Sequence, residues 1–259
     1  MILTSDYHTH TVYSHGKGSI LENAIKAKEM GLKEIAVSDH GFAHPAFGLR
    51  KRKLNKMRVE CDNATKDTGV NVLLGIESNI IGTDGTVDLK PDRYEYFDSF
   101  SAGIHKLVMF KFKSFFSLGI PDLLKSYQKN PKISKRLRET NTKTFINVIK
   151  KNPVDIITHL NFCCFADALE VAKAASDYGT YLELSAKKVH LSDQEIMDIL
   201  DKTEVKFVIG SDAHHPNRVG EISLVEDMLK RLSFPLDRIM NIDKRTPEFR
   251  FKAYKEKKL

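Results

Sequence analysis

Short apolar runs alternate with amphipathic stretches along almost the whole chain, and this alternation restricts the fold more than any other feature. The apolar runs have the length and composition of buried parallel strands. They predict seven strands, at residues 2–4, 34–38, 71–76, 99–104, 154–158, 180–184 and 206–209. Amphipathic stretches predict helices at 19–31, 165–178, 192–202 and 221–232, and two of them open with capping boxes, Ser19 with Glu22 and Ser192 with Glu195. A strand–helix unit repeated about seven times predicts a parallel α/β barrel, a single domain over residues 1–259.

One segment, at about 106–138, interrupts this rhythm between the fourth and fifth predicted strands. It shows no clear strand–helix order, and it holds four closely spaced phenylalanines, Phe110, Phe112, Phe115 and Phe116. A long irregular segment inserted into a barrel often carries function. Three roles stay open for this insertion: a partial lid over one end of the barrel, a contact with another subunit, or packing on the barrel.

The composition narrows the class of protein. With 41% hydrophobic residues the chain can bury a core, which argues against disorder. No apolar run approaches the length of a membrane span, and the first residues lack the pattern of a signal peptide. Three cysteines, an odd number, do not make a disulfide framework. We therefore expect a cytoplasmic protein without a membrane partner.

The formal net charge of +7 fits either nucleic acid or an anionic small molecule as partner. The basic residues are spread along the chain without a nucleic-acid-binding signature. We interpret them as solvated helix faces and keep nucleic acid as the less favoured partner. The oligomeric state is not predicted.

Side chains that can bind metals follow the predicted strands one after another. In chain order these residues are His8, His10, His15, His40, Glu77, His105, His159, Asp212 and His214. They include seven of the ten histidines, and the C-terminal ends of parallel barrel strands converge on one face. His8 and His10, at i and i+2 on an extended segment, point to the same side and can share one ion. Imidazole with carboxylate and no thiolate suits zinc, manganese or iron rather than a structural zinc site.

The ordered motifs HTH, SDH, GIE, GIH, THL and SDAH, with His15 after the first, resemble the polymerase-and-histidinol-phosphatase (PHP) superfamily, above all its small stand-alone bacterial phosphatases. The resemblance runs from residue 2 to about residue 245. It implies a distorted seven-stranded (β/α)7 TIM-like barrel and a centre of three divalent metal ions. Two departures are THLNF, where relatives often have a proline after the histidine, and an insertion longer than in the shortest relatives.

The resemblance also implies how the ligands divide among the metals. His8, His10, Glu77 and Asp212 would hold the first ion, and His15, His40 and His214 the second. Glu77 would bridge to the third ion, completed by His105 and His159.

Such a centre is strongly positive and suits a phosphate dianion, whose oxygens it can clamp while a metal-bound hydroxide attacks. We therefore expect a metal-dependent phosphoesterase that hydrolyses small phosphate monoesters, with histidinol phosphate as one candidate substrate. Glu77 and Asp212 are its expected catalytic residues. Arg218 is a third candidate catalytic residue. It could steady the phosphate or have only a surface role, and both interpretations stay equally open.

Two other functions stay open. Members of the superfamily also occur as exonucleases, so a 3'–5' exonuclease acting on nucleic acid is the second hypothesis. The third is a non-catalytic interaction domain stabilised by metals, against which the complete ligand set argues.

Several residues near these motifs receive structural interpretations. Asp6 and Asp39 either orient imidazoles or cap turns, and Glu183 is expected in a structural ion pair rather than in the pocket. Cys163 and Cys164 are expected to be small buried side chains. Three histidines are expected outside the ligand set: His44, His190 and His215. His190 is also expected to lie off the pocket.

Overall fold

Seven parallel strands form one sheet in which each strand pairs with the next along the chain. The computed structural model describes residues 1–129 and 131–257. The strands are β1 (Ser5–Thr9), β2 (Glu34–Val37), β3 (Asn71–Asn79), β4 (Ser99–Gly103), β5 (Ile156–Ile157), β6 (Tyr181–Ser185) and β7 (Phe207–Gly210). The sheet curls into a nearly closed barrel, which confirms the predicted α/β barrel of seven parallel strands.

Helices alternate with these strands. Those in the described residues are α1 (Ile20–Glu29), α2 (Leu54–Thr68), α3 (Phe112–Ser114), α4 (Ile120–Ser126), α5 (Lys135–Lys151), α6 (Ala168–Tyr178), α7 (Asp193–Lys202), α8 (Ser223–Arg231) and α9 (Arg250–Glu256). Both predicted capping boxes are present, at the N-terminal ends of α1 and α7. Across residues 1–129 and 131–257, no helix combines the length and the apolarity that crossing a bilayer requires.

The first predicted strand is wrong, because β1 begins only at Ser5. Leu3, inside the predicted strand, makes only an isolated antiparallel bridge with Ile242. β1 instead contains the polar residues Asp6 and His8, which conceal the strand from a search for apolar runs. β3 likewise continues past its apolar part to Asn79, so Glu77 lies within the strand and not beyond it.

The seam between β7 and β1 is closed largely by side chains. Asn241 is fully buried; its Nδ2 donates to the carbonyls of Ser5 and Ile209, both at 2.8 Å, and its Oδ1 accepts from the Ile209 N–H at 2.9 Å. Thr9 pairs with Ala213 at the other end of the seam. One amide side chain therefore replaces several ladder hydrogen bonds between the first and last strands.

Asp6 completes this seam. Its carboxylate accepts from the backbone N–H groups of His8 (3.2 Å), Ser211 (3.1 Å) and Gly220 (3.0 Å). Burial raises the pKa of Asp6, and these hydrogen bonds oppose the rise. Of the two roles considered for Asp6, orienting an imidazole or capping a turn, its contacts favour the second, because its partners are backbone N–H groups.

The insertion is more ordered than its sequence indicates. After Lys111 it runs through α3, a π-helical turn (Phe115–Gly119) and α4. It packs over the loops that follow β2 and β3, where the Met109 N–H donates to Ala43 O (2.9 Å) and the Lys111 N–H to Ile81 O (2.8 Å).

A cavity of about 100 Å³ separates the insertion from the barrel residue His105. Asp122 lines it and is buried; its Oδ1 accepts from Asn141 Nδ2 at 2.9 Å, while its Oδ2 has no hydrogen-bond partner. Burial raises the pKa of Asp122 to about 7. Ionising this carboxyl group at neutral pH therefore costs folding free energy.

We predict that Asn241→Ala lowers the free energy of unfolding by about 3 kcal/mol, because three buried backbone groups lose their partner. Urea unfolding measures the change. Asn63→Ala, on the exposed face of α2, is the matched control and should change stability by less than about 0.5 kcal/mol. Equal effects of the two substitutions would contradict the proposed role of Asn241 in the seam.

We also predict that Asp122→Asn flattens the pH dependence of stability. A raised pKa in the folded state gives stability that is present below the unfolded pKa and lost as pH rises through about 7. Wild type should therefore lose up to about 4 kcal/mol between pH 4 and pH 8 through this group, and the variant should not. Urea unfolding across this range, with exposed Asp177→Asn as control, tests it. Parallel curves for wild type and Asp122→Asn would count against the prediction.

Candidate metal centre

Glu77 lies at the centre of the side chains that the sequence places at strand ends. It is fully buried in β3, and its Oε1 accepts from Thr158 Oγ1 at 2.9 Å. Five imidazole nitrogens lie close to its carboxylate oxygens: those of His159 (2.7 Å), His40 (2.9 Å), His105 (3.1 Å), His8 (3.3 Å) and His10 (3.6 Å). One carboxylate thus contacts imidazoles carried by the ends of four strands.

Asp212 and His214 extend this cluster from the end of β7. Asp212 Oδ1 lies 3.3 Å from His10 Nε2 and 3.2 Å from His214 Nδ1. The ring of His15 lies 4.1 Å from that of His214 and stacks on that of His40 at 4.7 Å between centroids. All nine residues proposed from the sequence therefore lie together.

Several donor groups converge closely enough to share an ion. Four sets have ligand atoms within 4.8 Å of one another: His8 with His10 and Asp212, His10 with His40 and His214, His8 with Glu77 and His159, and His40 with Glu77 and His105. These sets overlap with the division of ligands among three ions that the resemblance implies, but His8, His10, His40 and Glu77 each occur in two of them. His15 is in none of these four sets, although its ring lies beside two of their members.

Unpartnered buried atoms test whether a metal fits. His10 Nδ1, His40 Nδ1, Glu77 Oε2 and both ring nitrogens of His105 are buried without a hydrogen-bond partner. His40 Nδ1 and Glu77 Oε2 lie only 2.9 Å apart, yet they are not aligned as a hydrogen bond. Leaving such atoms unsatisfied is costly, and a cation would satisfy nitrogen lone pairs and a carboxylate together. This donor set therefore fits divalent transition-metal ions.

The protonation states of Glu77 and of three of its neighbouring histidines favour ligation as well. Burial alone would raise the pKa of Glu77, but the surrounding imidazoles hold it well below its ordinary value, so the carboxylate is ionised. Burial lowers the pKa values of His10, His40 and His105. These three imidazoles are therefore neutral, as metal ligands must be. Burial also acts to lower the pKa values of His8 and His159, but the neighbouring carboxylates raise both above the ordinary value, so these two rings must release a proton to bind a metal.

Glu183 contributes more to the site than the sequence indicates. Its Oε1 lies 2.6 Å from His8 Nδ1, and its Oε2 accepts from the His159 N–H at 2.7 Å. Burial lowers the pKa of His8, but the charges of Glu183, Glu77 and Asp212 outweigh this and raise it well above its ordinary value. The expected ion pair exists, and its partner is a proposed ligand. The only signal of this role in the sequence is the position of Glu183 at the end of a predicted strand.

Asp39 organises the loop that carries His10 and His15. Its carboxylate accepts from the Thr11 N–H (2.8 Å), Thr11 Oγ1 (2.6 Å) and Ser14 Oγ (2.5 Å). It lies farther, 3.9 Å, from His10 Nδ1. Of the two roles considered for Asp39, its contacts favour the turn-capping one.

Two residues of the cluster have backbone conformations that side chains with a Cβ rarely adopt. The φ angles of His159 and Asp212 are +28° and +48°, in the left-handed region. Each lies two residues after the end of a strand, so the chain turns sharply where each side chain enters the cluster. Such strain persists where the surrounding structure holds it, and it concentrates at functional sites.

Arg218 lies in a short 3₁₀ helix (Pro216–Arg218), and its half-exposed guanidinium pairs with Glu221 at 2.6 Å. A different cation lies beside the cluster. Lys187 Nζ is 3.1 Å from Asp212 Oδ2 and 3.1 Å from His214 Nδ1. No sequence pattern identifies Lys187, because only the path of the loop after β6 brings it there.

His190 belongs to none of the four ligand sets, but it lies nearer to the cluster than its sequence indicates. Its ring is 6.3 Å from that of His159 and 5.3 Å from that of Phe162, because the loop after β6 folds back over β5. Burial lowers the pKa of His190 to about 4. Cys163 and Cys164 are buried as expected, and Cys163 Sγ contacts Ile104 O at 2.9 Å.

Comparison with known proteins gives consistent matches. The family model described as "PHP domain" matches residues 6–191, a range that contains seven of the nine clustered residues. A protein of Thermoanaerobacter sp. (strain X514) named "Probable phosphatase" is 30% identical over 260 residues, which span 94% of this chain and 92% of the relative. A "Probable phosphatase" of Shewanella halifaxensis is 28% identical over 252 residues, which span 94% and 89%.

A solved structure shares the fold. It is a histidinol phosphate phosphatase from Lactococcus lactis, described in complex with zinc, L-histidinol and phosphate. It superimposes with a TM-score of 0.60 at 14% identity, over 91% of this chain and 95% of that one. At this identity the likeness concerns the barrel architecture alone.

Proposed function

Since the chain belongs to the PHP domain family, we propose that it is a metal-dependent phosphatase that hydrolyses small phosphate monoesters at the cluster around Glu77. One observation carries the proposal. Nine imidazole and carboxylate side chains from six strands and the loops that follow them converge on one place, and several of their buried atoms lack partners. The phosphatase names of the relatives support the reaction class.

We propose three divalent ions as the cofactor, zinc, manganese or iron. His8, His10, Asp212 and Glu77 would hold the first, His15, His40 and His214 the second, and Glu77, His105 and His159 the third. The sets of converging ligand atoms match this division in part. One set joins His8, His10 and Asp212, as proposed for the first ion, and another joins His40 and His214 with His10 rather than His15. The ligands proposed for the third ion are divided between two sets, Glu77 with His159 in one and Glu77 with His105 in the other. Zinc is the first metal to test, because the Lactococcus lactis structure is described with it.

When bound, such ions act as Lewis acids on phosphoryl oxygens and lower the pKa of a coordinated water to about 7. The chain itself supplies charge and orientation. Ionised Glu77 and Asp212 offset the positive charge of the ions. Glu183 accepts a hydrogen bond from His8 Nδ1, which orients the ring so that Nε2 faces the cluster, 3.1 Å from His10 Nε2.

Lys187 is the cation best placed to attract a phosphate dianion. Its half-exposed side chain lies beside Asp212 and His214, at the solvent-facing part of the cluster. Arg218, retained from the sequence as a phosphate ligand, could take that role only by leaving Glu221. Charge at the entrance would favour a dianionic monoester over a diester, which carries one negative charge.

Histidinol phosphate is the first physiological substrate to assay, because the Lactococcus lactis protein is named for it. The insertion begins directly after His105, so we retain its role as a partial lid as a proposal. We likewise propose that the chain is one PHP domain over residues 1–259 with this insertion at about 106–138.

We predict about three divalent ions per chain when the protein is purified without chelator. Elemental analysis by mass spectrometry counts them. Glu77→Gln should lose at least one ion, because the bridging carboxylate no longer offsets the repulsion between cations. Glu170→Gln, the same chemical change on the exposed face of α6, should keep the full content. A wild-type content of zero or one would contradict the three-ion centre.

We predict that Glu77→Gln and Asp212→Asn abolish hydrolysis of p-nitrophenyl phosphate, while Glu170→Gln and exposed Asp177→Asn retain it. Glu183→Gln should lower kcat/KM by about 10–100-fold, as is typical for residues that orient metal ligands. Steady-state kinetics with added zinc or manganese measure these changes.

The same assays separate the competing functions. Wild type should cleave p-nitrophenyl phosphate faster than bis(p-nitrophenyl) phosphate or single-stranded DNA. Rapid degradation of DNA with little monoesterase activity would point instead to the exonuclease. Full metal content without hydrolysis of any of these substrates would support the third hypothesis, a non-catalytic interaction domain stabilised by metals.

A further inference from the structure

The insertion exposes an unusual number of large apolar side chains. Of the twenty that are exposed in the described residues, seven lie between positions 107 and 127: Leu107, Met109, Phe112, Phe115, Phe116, Leu124 and Tyr127. Phe112 is 81% exposed and Phe116 is 58% exposed. A concentration of this kind on a surface marks a contact with another molecule.

The helical part of the insertion explains why these rings face outwards. Ser114, Leu118 and Asp122, spaced four residues apart, are buried against the barrel. The opposite side presents a phenylalanine cluster, defined here as Phe112, Phe115 and Phe116. Within it the ring centroids of Phe112 and Phe116 are 5.5 Å apart, and those of Phe115 and Phe116 are 5.3 Å apart. The segment therefore places its small and acidic side chains inside and its large apolar ones outside.

The same segment carries the net charge of the protein. Residues 106–138 contain nine of the 41 basic residues and one of the 34 acidic ones, a net of +8, so the rest of the chain carries −1. The single acid is Asp122, which is buried. Lys113 is exposed within the phenylalanine cluster, and Lys132 and Lys135 are exposed farther along the insertion. An occupant of this surface must accept both apolar side chains and positive charge.

We propose that the insertion docks on an anionic lipid bilayer. Phenylalanine, leucine and methionine side chains enter the boundary between headgroups and acyl chains, while lysines bind anionic headgroups. A peripheral contact of this kind needs no membrane span, so it is compatible with the finding that no helix in the described residues could cross a bilayer. It departs from the expectation, drawn from the sequence, of no membrane partner. The proposal does not depend on the phosphatase activity.

Two other occupants fit less well. A second copy of the chain would bring two surfaces of net charge +8 together, which repel each other. Single-stranded nucleic acid would use the lysines and free ring faces for stacking. Here the phenylalanine rings pack edge to face on one another, at interplanar angles of 75° and 80°, and Leu107, Met109 and Leu124 offer no stacking face.

Sedimentation of the full-length protein with vesicles tests this docking. The protein should bind vesicles of phosphatidylcholine and phosphatidylglycerol, bind pure phosphatidylcholine far less, and lose binding as salt is raised. Phe112→Ser/Phe116→Ser should weaken binding about tenfold or more, because the apolar anchor is lost. Lys113→Glu/Lys132→Glu should weaken it similarly.

Matched controls replace exposed residues elsewhere. Ile25→Ser/Val59→Ser removes apolar side chains from α1 and α2, and Lys28→Glu/Lys51→Glu changes the same charge away from the insertion. Both should bind as wild type does, and circular dichroism should show every variant folded. Equal binding to both vesicle types, or no effect of the phenylalanine substitutions, would overturn the proposal. So would tighter binding of a single-stranded oligonucleotide that the same substitutions abolish.

Discussion

The negative charge of a carboxylate buried away from solvent must be balanced by nearby groups. The charge of Glu77 imposes this condition on the face of the barrel where the C-terminal ends of the strands meet. Its position inside β3 puts it beyond the reach of solvent, so its partners must come from other strands. Parallel strands around a barrel can supply them, because their C-terminal ends meet on one face. The architecture and the cluster of imidazoles are therefore two aspects of one arrangement.

Imidazoles hold a useful geometry only if their rings cannot turn. Glu183 restrains His8 and the backbone of His159, Asp39 restrains the loop between β1 and α1, and Thr158 restrains Glu77 itself. The left-handed backbone conformations of His159 and Asp212 also help to fix the direction in which these side chains enter the cluster. The precision of the site thus comes from buried polar contacts behind it as much as from the cluster.

The sequence predicts the barrel and the members of the cluster well, because strand order and side-chain chemistry follow local rules. It fails where position depends on the path of a loop. Lys187 and His190 come near the cluster only because the segment after β6 folds back, and no periodicity records that. β1 is missed because Asp6 and His8 make it polar, and the helical part of the insertion is hidden because its apolar side chains face outwards.

The seam between β1 and β7 links the chemistry of the site to the persistence of the fold. His8 and His10 come from one side of it and Asp212 from the other, and the side chains of Asn241 and Asp6 form hydrogen bonds across it. An ion shared by His8, His10 and Asp212 would clasp the first strand to the last, and by mass action it would favour the closed barrel. Loss of that ion would then weaken the closure of the barrel together with the site that the two strands share.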